Sequence, residues 1–146
     1  MKAKDILQAK GTRVITAVQD TSLVDVMAMI FANKIGSIMV VDKYGGAVGI
    51  VSTLDILKAV HQHLGNIVDL KARDVMNTDL IVATPEDDIN YIENIMTENR
   101  VRHIPIIDGA KLAGLVSIGD VVKIQMKEAH VENHYLKDYI EGKYPA

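Results

Sequence analysis

This chain of 146 residues contains no cysteine and no tryptophan, and phenylalanine occurs only once. Without cysteine it can form no disulfide, no thiolate nucleophile and no cysteine-ligated zinc or iron–sulfur site, and such a composition suits a reducing compartment. Blocks of basic residues are also missing, since the 16 basic residues are spread among 19 acidic ones and the formal charge is −3. A chain with no cluster of cations and so few aromatic rings is not expected to bind nucleic acid.

Long apolar runs are missing as well. No stretch approaches the roughly 18 consecutive apolar residues of a membrane-spanning helix, and the N-terminus lacks the apolar segment of a secretory signal. We therefore expect a cytoplasmic protein without a membrane partner. Hydrophobic residues still make up 49% of the chain, which is enough to bury the core of a compact domain.

The chain repeats itself once. Residues 14–42 align with residues 80–108 at an offset of 66 residues, and then residues 49–55 align with residues 114–120 at an offset of 65. In both copies the second block has the order glycine, two apolar residues, serine, two further residues and aspartate. The repeat predicts one unit over 1–66, a second unit over 67–126 and a helical extension over 127–146.

Hydrophobic spacing gives the two units the same order of elements. A short apolar strand, over 14–18 or 80–83, precedes polar cap residues and a helix whose apolar side chains recur at helical spacing. Two further apolar runs joined by a turn with Asp and Gly predict a hairpin. A second helix begins at Ser52 or Ser117. The predicted fold class is α/β, or α+β with small sheets, in the order β-α-β-β-α twice, plus a C-terminal helix.

Neither unit is expected to be stable alone, because a unit of about 60 residues buries only a modest share of its surface. We therefore expect the two copies to pack on each other with approximate two-fold symmetry. Clefts between equivalent strands and helix starts are common places for small-molecule sites.

The duplicated glycine–serine–aspartate motif, with the segment 102–108 (RHIPIID) before its second copy, resembles the CBS-domain pair, or Bateman module. The resemblance covers about residues 3 to 125, and the whole chain, including the tail over 139–144, is similar to stand-alone proteins with a single such pair. It implies regulatory, non-catalytic binding of an adenosyl ligand: AMP, ADP or ATP first, with NAD(H) or S-adenosylmethionine as alternatives. It also implies a homodimer through helix packing, and an effector protein supplied in trans because the chain carries no effector domain.

The second copy of the motif is predicted to form the main ligand site. Ser117 opens a helix whose free N–H groups attract a phosphate, and the carboxylate of Asp120 can accept from both hydroxyls of a ribose. Arg102 and His103 add positive charge for phosphate oxygens, and Pro105 indicates a strand edge beside a cleft. The resemblance implies that residues of the first strand of the opposite repeat complete this site. The predicted main-site residues are Val14, Ile15, Thr16, Arg102, His103, Pro105, Ser117 and Asp120.

The first copy is predicted to form a weaker or empty site, because Gly36 and Ser37 stand where the second copy has its cations. The predicted second-site residues are Gly36, Ser37, Ser52, Asp55, Ile81, Val82 and Ala83. The same serine–aspartate spacing also fits a helix cap, in which the serine accepts from a helix N–H group and the aspartate complements the dipole. The neighbouring cations favour the ligand role at the second motif, whereas both interpretations stand open at the first.

Other sequence patterns give weaker evidence of function. His130 and His134 have the spacing of metal ligands on a helix, but no third ligand is evident, so we interpret them as part of a solvated helix face and predict no metal site. The sequence has no P-loop, nucleophile elbow or convincing catalytic triad, and we do not expect an enzyme. The main alternative is a structural dimerisation module in which the serine and aspartate residues act only as caps.

Overall fold

The computed structural model describes residues 1–140, apart from the side chains of Tyr135, Asp138 and Tyr139, so most of the predicted tail lies outside the described residues. The structure has the predicted mixed α/β class, with two small sheets and a C-terminal helix. The elements are α1 (Ala3–Lys10), β1 (Thr16–Ala17), α2 (Leu23–Asn33), β2 (Ser37–Val41), β3 (Ala47–Ser52), α3 (Thr53–Gln62), α4 (Ala72–Val75), α5 (Ile89–Asn99), β4 (His103–Asp108), β5 (Lys111–Ser117) and α6 (Ile118–Ile140).

Both predicted hairpins are present. In the first repeat β1 pairs in parallel with β2, and β2 pairs antiparallel with β3; in the second repeat β4 and β5 form an antiparallel pair. The second helix of each repeat follows its hairpin directly, with α3 starting after Ser52 and α6 after Ser117. The hairpin and the helix that follows it therefore form one continuous unit in each repeat.

The predicted first strands are too long in both repeats. The strand expected over 14–18 is reduced to β1, because the N–H of Val18 already donates to the Oγ1 of Thr21. The strand expected over 80–83 is reduced to a single parallel bridge between Ala83 and Ile106. There the chain turns at once towards α5, since the N–H of Thr84 donates to the Asp87 carboxylate and the next residue is a proline, which has no N–H to donate.

The predicted order omitted two short helices, α1 and α4. Each of them packs in the core of the other repeat rather than in that of its own. Ala3, Ile6 and Leu7 of α1 pack in the core of the second repeat. Ala72 of α4 packs in the core of the first repeat. Antiparallel bridges Lys2 to Asp88 and Ser22 to Lys71 hold the two segments at equivalent positions, which gives the pair its two-fold character. The predicted boundaries at residues 66 and 126 stay predictions, and each core contains residues from both sides of residue 66.

Two glycines permit this exchange. A Cβ at Gly114 in β5 would lie 2.5 Å from Cδ2 of Leu7, and a Cβ at Gly49 in β3 would lie 2.6 Å from Sδ of Met76. Because these distances are far inside van der Waals contact, only a residue without a side chain lets α1 and the end of α4 approach their sheets this closely. The glycine of the repeated motif thus has a packing role in both copies.

Candidate functional site

The hairpin of the second repeat brings its predicted polar residues together. In the β4–β5 register His103 lies opposite Ser117, and the N–H of Ile118 donates to the carbonyl of Arg102 at 2.8 Å. The start of α6 therefore lies beside the segment that carries the arginine and the histidine. Asp120, in the first turn of α6, completes this cluster.

Ser117 and Asp120 form a reciprocal cap at the start of α6. The N–H of Ser117 donates to Oδ2 of Asp120 at 2.8 Å, and the N–H of Asp120 donates to Oγ of Ser117 at 3.2 Å. This is the geometry that the capping interpretation predicts. It does not consume the carboxylate, which has a second oxygen and further lone pairs for other donors.

Lys10, at the end of α1, also reaches this cluster. Its Nζ donates to Oδ2 of Asp120 at 2.7 Å and to the carbonyl of Leu115 at 2.9 Å. The Lys10 and Asp120 side chains are 37% and 21% exposed, so the ion pair is partly shielded from water. Lys10 was not among the residues predicted from sequence, because 110 residues separate it from Asp120 and no spacing motif links them.

The charges around the motif shift two pKa values. Burial opposes ionisation of Asp120, but hydrogen bonds from Lys10 and Ser117 outweigh it and hold its pKa below the usual value. Burial lowers the pKa of His103, and the positive charges of Lys10 and Arg102 add to the effect. Asp120 opposes this shift only in part, so the positive charge of the site comes mainly from Lys10 and Arg102 rather than from the histidine.

The first motif repeats the cap, here with no ion pair to Asp55 among the described residues. Ser52 donates to Oδ2 of Asp55 from both its N–H and its Oγ, each at 2.8 Å, and the N–H of Asp55 donates back to Oγ at 3.2 Å. Ser37 lies opposite Ser52 in the β2–β3 register, and the carbonyl of Gly36 accepts from the N–H of Thr53. Gly36 and the three predicted polar residues of this motif thus lie together, as their counterparts do in the second repeat.

Ser37 differs from its neighbours in one respect. The residue is only 5% exposed, and within the part of the chain that the structure describes its Oγ has no hydrogen-bond partner. A buried hydroxyl without a partner costs about 1–3 kcal/mol, so such groups are uncommon in folded proteins. Ser37 is the first-repeat counterpart of His103 and marks the same place in the hairpin.

Of the first-strand residues predicted for the sites, Thr16 lies in β1 and Ala83 forms a single bridge, whereas the others lie outside the strands. Thr16 pairs with Met39, and Ile15 packs against the first core, while Val14 is half-buried just before β1. In the second repeat, Ile81 packs against the core, Val82 is exposed, and Ala83 donates to the carbonyl of Pro105 at 3.0 Å. Pro105 itself is buried in β4 opposite Leu115. The contribution of either triplet to the opposite repeat's site stays a prediction.

A groove of about 790 Å³ lies between α1 and α6 and is bordered by Lys10 and Asp120. Its volume falls in the range of small-molecule sites. Ile6, Ala9, Ile124 and Val131 supply its apolar lining. The charged pair at the motif is therefore accessible from this side of the second repeat.

The described residues contain no group of three or more His, Asp and Glu side chains arranged to hold a metal ion. His130 and His134 lie on the exposed part of α6. Among the helices in the described part of the chain, none combines the length and apolar character that crossing a bilayer requires.

Both the sequence and the structure of this chain are similar to those of known proteins. Residues 3–62 and 72–127 match the model of the CBS domain family. Over 148 residues the chain is 30% identical to the CBS domain-containing protein CBSX3, mitochondrial, of Arabidopsis thaliana, covering 96% of this chain and 72% of that protein. The crystal structure of a CBS-domain containing protein from Agrobacterium tumefaciens superimposes with a TM-score of 0.81 at 32% identity, covering 86% of this chain and 99% of that one.

A third match concerns a structure with bound ligands. The CBS domain pair of protein MJ0100, solved in complex with 5′-methylthioadenosine and S-adenosyl-L-methionine, superimposes with a TM-score of 0.78 at 22% identity. The match covers 88% of this chain and 98% of that chain. At this identity the likeness concerns the fold.

Proposed function

Because the chain belongs to the CBS-domain family, whose paired domains are generally regulatory, we propose that it binds an adenine nucleotide or a related adenosyl ligand and signals the binding state to a partner protein. The observation that carries the proposal is the convergence of a carboxylate, two cations and a helix start at the second motif. These are the groups that a ribose and a phosphate require from a protein.

Each residue of the second motif has a role in this proposal. The carboxylate of Asp120 accepts from the ribose hydroxyls. The positive dipole end at the start of α6 favours the phosphate, although the N–H groups of Ile118 and Asp120 already donate to Arg102 and Ser117. Arg102 adds a guanidinium for the phosphate oxygens. The backbone of residues 14–16 reads the adenine edge, as the family resemblance implies. AMP, ADP and ATP are the first candidates, with NAD(H) and S-adenosylmethionine as alternatives.

We also propose a second, weaker site at the first motif. Ser37 lies opposite Ser52, at the position that His103 has in the second motif. Ser52 and Asp55 provide the same cap geometry as the second motif. Gly36 and Ser37 bring no positive charge, so phosphate is held less tightly here than beside Arg102.

Signalling requires a ligand that binds two conformations or assemblies with different affinities. We propose a homodimer built through the helices, since Leu57 of α3 and its counterpart Val122 of α6 are exposed by 63% and 44%, and Met126 is exposed by 67%. Apolar side chains on equivalent helices suit a self-complementary surface. The regulated effector is a separate protein in a cytosolic setting, as expected from the sequence.

The two reciprocal caps favour one alternative, a structural dimerisation module without a ligand. Thermal unfolding separates the two functions. A ligand that binds only the folded state at about 100 times its Kd adds about 2.7 kcal/mol of stability. We therefore expect millimolar AMP or ATP to raise Tm. If AMP, ATP, NAD and S-adenosylmethionine all leave Tm unchanged, the ligand-binding function is wrong and the structural alternative stands.

A further inference from the structure

Two donors converge on one oxygen of Asp120. The N–H of Ser117 lies 2.8 Å from Oδ2, and the Nζ of Lys10 lies 2.7 Å from the same atom. A carboxylate oxygen has two lone pairs, so a third donor reaches Oδ2 only when one of these donors leaves. The Ser117 N–H is held by the backbone at the start of α6, whereas Lys10 ends a long side chain. A ribose that bonds to both carboxylate oxygens therefore displaces Lys10.

Lys10 stays beside the second motif after its bond to Asp120 is broken. Its Nζ also donates to the carbonyl of Leu115 at 2.9 Å, and this carbonyl belongs to β5, two residues before the motif serine. An ammonium group has three N–H donors, so it keeps this bond while it turns towards a new acceptor. The charge of Lys10 also acts on His103, which places the ammonium within electrostatic reach of the segment proposed to face the phosphate.

The displaced ammonium needs a new counter-charge. A 5′-phosphate supplies one, with oxygens that accept strong charge-assisted hydrogen bonds. An uncharged nucleoside or thioether supplies none, and a sulfonium adds a third positive charge beside those of Lys10 and Arg102. The cost of breaking the ion pair is therefore offset by some adenosyl ligands and not by others.

We propose that Lys10 is a specificity-determining residue, which selects adenosine ligands with a 5′-phosphate over uncharged or cationic adenosyl ligands. The inference rests on the proposed function, because it requires a ribose at Asp120. It assigns a role to α1 that the repeated motif does not contain. The N-terminal helix of the first repeat thereby sets the ligand choice of the second.

Calorimetric titration of the full chain with AMP and with adenosine tests this role. The wild-type protein should bind AMP more tightly than adenosine by about tenfold or more, the factor that one charge-assisted hydrogen bond supplies. Lys10→Met should weaken AMP binding and leave adenosine binding unchanged or tighter, so that the preference for AMP falls by about tenfold and any remainder reflects Arg102. Lys4→Met is the matched control, since Lys4 also ends in an ion pair from α1, to Glu86, but lies away from the motif. It should keep the wild-type preference.

The results of these titrations separate the role of Lys10 from the proposed function. A wild-type protein that binds both ligands equally well, or a Lys10→Met protein that keeps the full preference for AMP, overturns the role of Lys10 and leaves the proposed function intact. If the wild-type protein binds neither ligand, the proposed function fails and the role of Lys10 falls with it. If Lys10→Met does not fold, Lys10→Gln replaces it in the same titrations, because it removes the charge but keeps a donor for the Leu115 carbonyl.

Discussion

The docking of α1 on the second repeat can be tested by a single added methyl group at Gly114. A Cβ there would lie 2.5, 2.8 and 3.2 Å from three side-chain carbons of Leu7. Leu7 is buried, and it packs in the same core as Val116 and Ile104, so its side chain cannot swing into solvent. Gly114→Ala therefore forces α1 away from β5 or pushes Leu7 into a poorer rotamer.

The expected cost follows from this crowding. Overpacking a filled core by one carbon costs about 1–3 kcal/mol. For a chain of this length such a loss lowers Tm by about 3–9 °C, since 1 kcal/mol corresponds to about 3 °C. The same change moves the last turn of α1, which carries Lys10, so nucleotide affinity should fall as well.

Chemical denaturation of four proteins measures the effect: wild type, Gly114→Ala, Leu7→Ala and the double variant. Leu7→Ala alone should cost about 2–5 kcal/mol, because it leaves a cavity. In the double variant the alanine methyl has room, so the loss should be smaller than the sum of the single losses by about 1 kcal/mol or more. Gly36→Ala is the matched control, since a Cβ there meets no atom within 4 Å.

An unchanged stability of Gly114→Ala would refute the reasoning. Strict additivity with Leu7→Ala would refute it too, because residues that do not touch have independent effects. Either result would mean that α1 does not pack on β5, and the link between Lys10 and Asp120 would lose its structural basis.

The motifs and the helix faces lead to three further predictions. In calorimetric titrations with AMP, Asp120→Ala should lower affinity more than Asp55→Ala, and the reverse order would exchange the main and weaker sites. The folded-state pKa of Asp120 lies below its usual 3.8, so the stability it contributes is complete above that value and disappears as the pH falls through the lower one. In Asp120→Asn the free energy of unfolding, measured by denaturation, should therefore fall less steeply than in the wild type as the pH is lowered through this range. Two pH curves that stay parallel would contradict the ion pair. Leu57→Glu should convert the proposed dimer to a monomer in light scattering after size exclusion, while Lys58→Glu on the same helix should not; a dimer that survives Leu57→Glu uses another surface.

The local features of the fold could be predicted because they depend on neighbours in sequence. The hairpins follow from paired apolar runs around short turns, and the helix starts at Ser52 and Ser117 follow from side chains that accept hydrogen bonds within one turn. The limits of the first strands could not be predicted in this way. Their ends depend on side-chain bonds, such as Thr21 to Val18, that compete with the sheet for the same N–H groups.

The positions of α1 and α4 could not be predicted from their sequences. Each segment packs in the core of the other repeat through contacts with residues far away in the sequence, such as those at Gly114 and Gly49. The sequence shows a glycine in both copies of the motif, but nothing in it identifies Leu7 and Met76 as the side chains that occupy the space.

The sequence by itself determined the duplication, the family, the mixed α/β class and the serine–aspartate caps, because these depend on residues a few positions apart. Only the tertiary structure decided which core receives each N-terminal segment, that Lys10 shares the carboxylate of Asp120, and that the hydroxyl of Ser37 is buried without a partner in the described chain. The physical reason is the range of the interactions. Caps and turns are settled within a few residues, whereas an ion pair across 110 residues exists only once packing has brought two distant segments together.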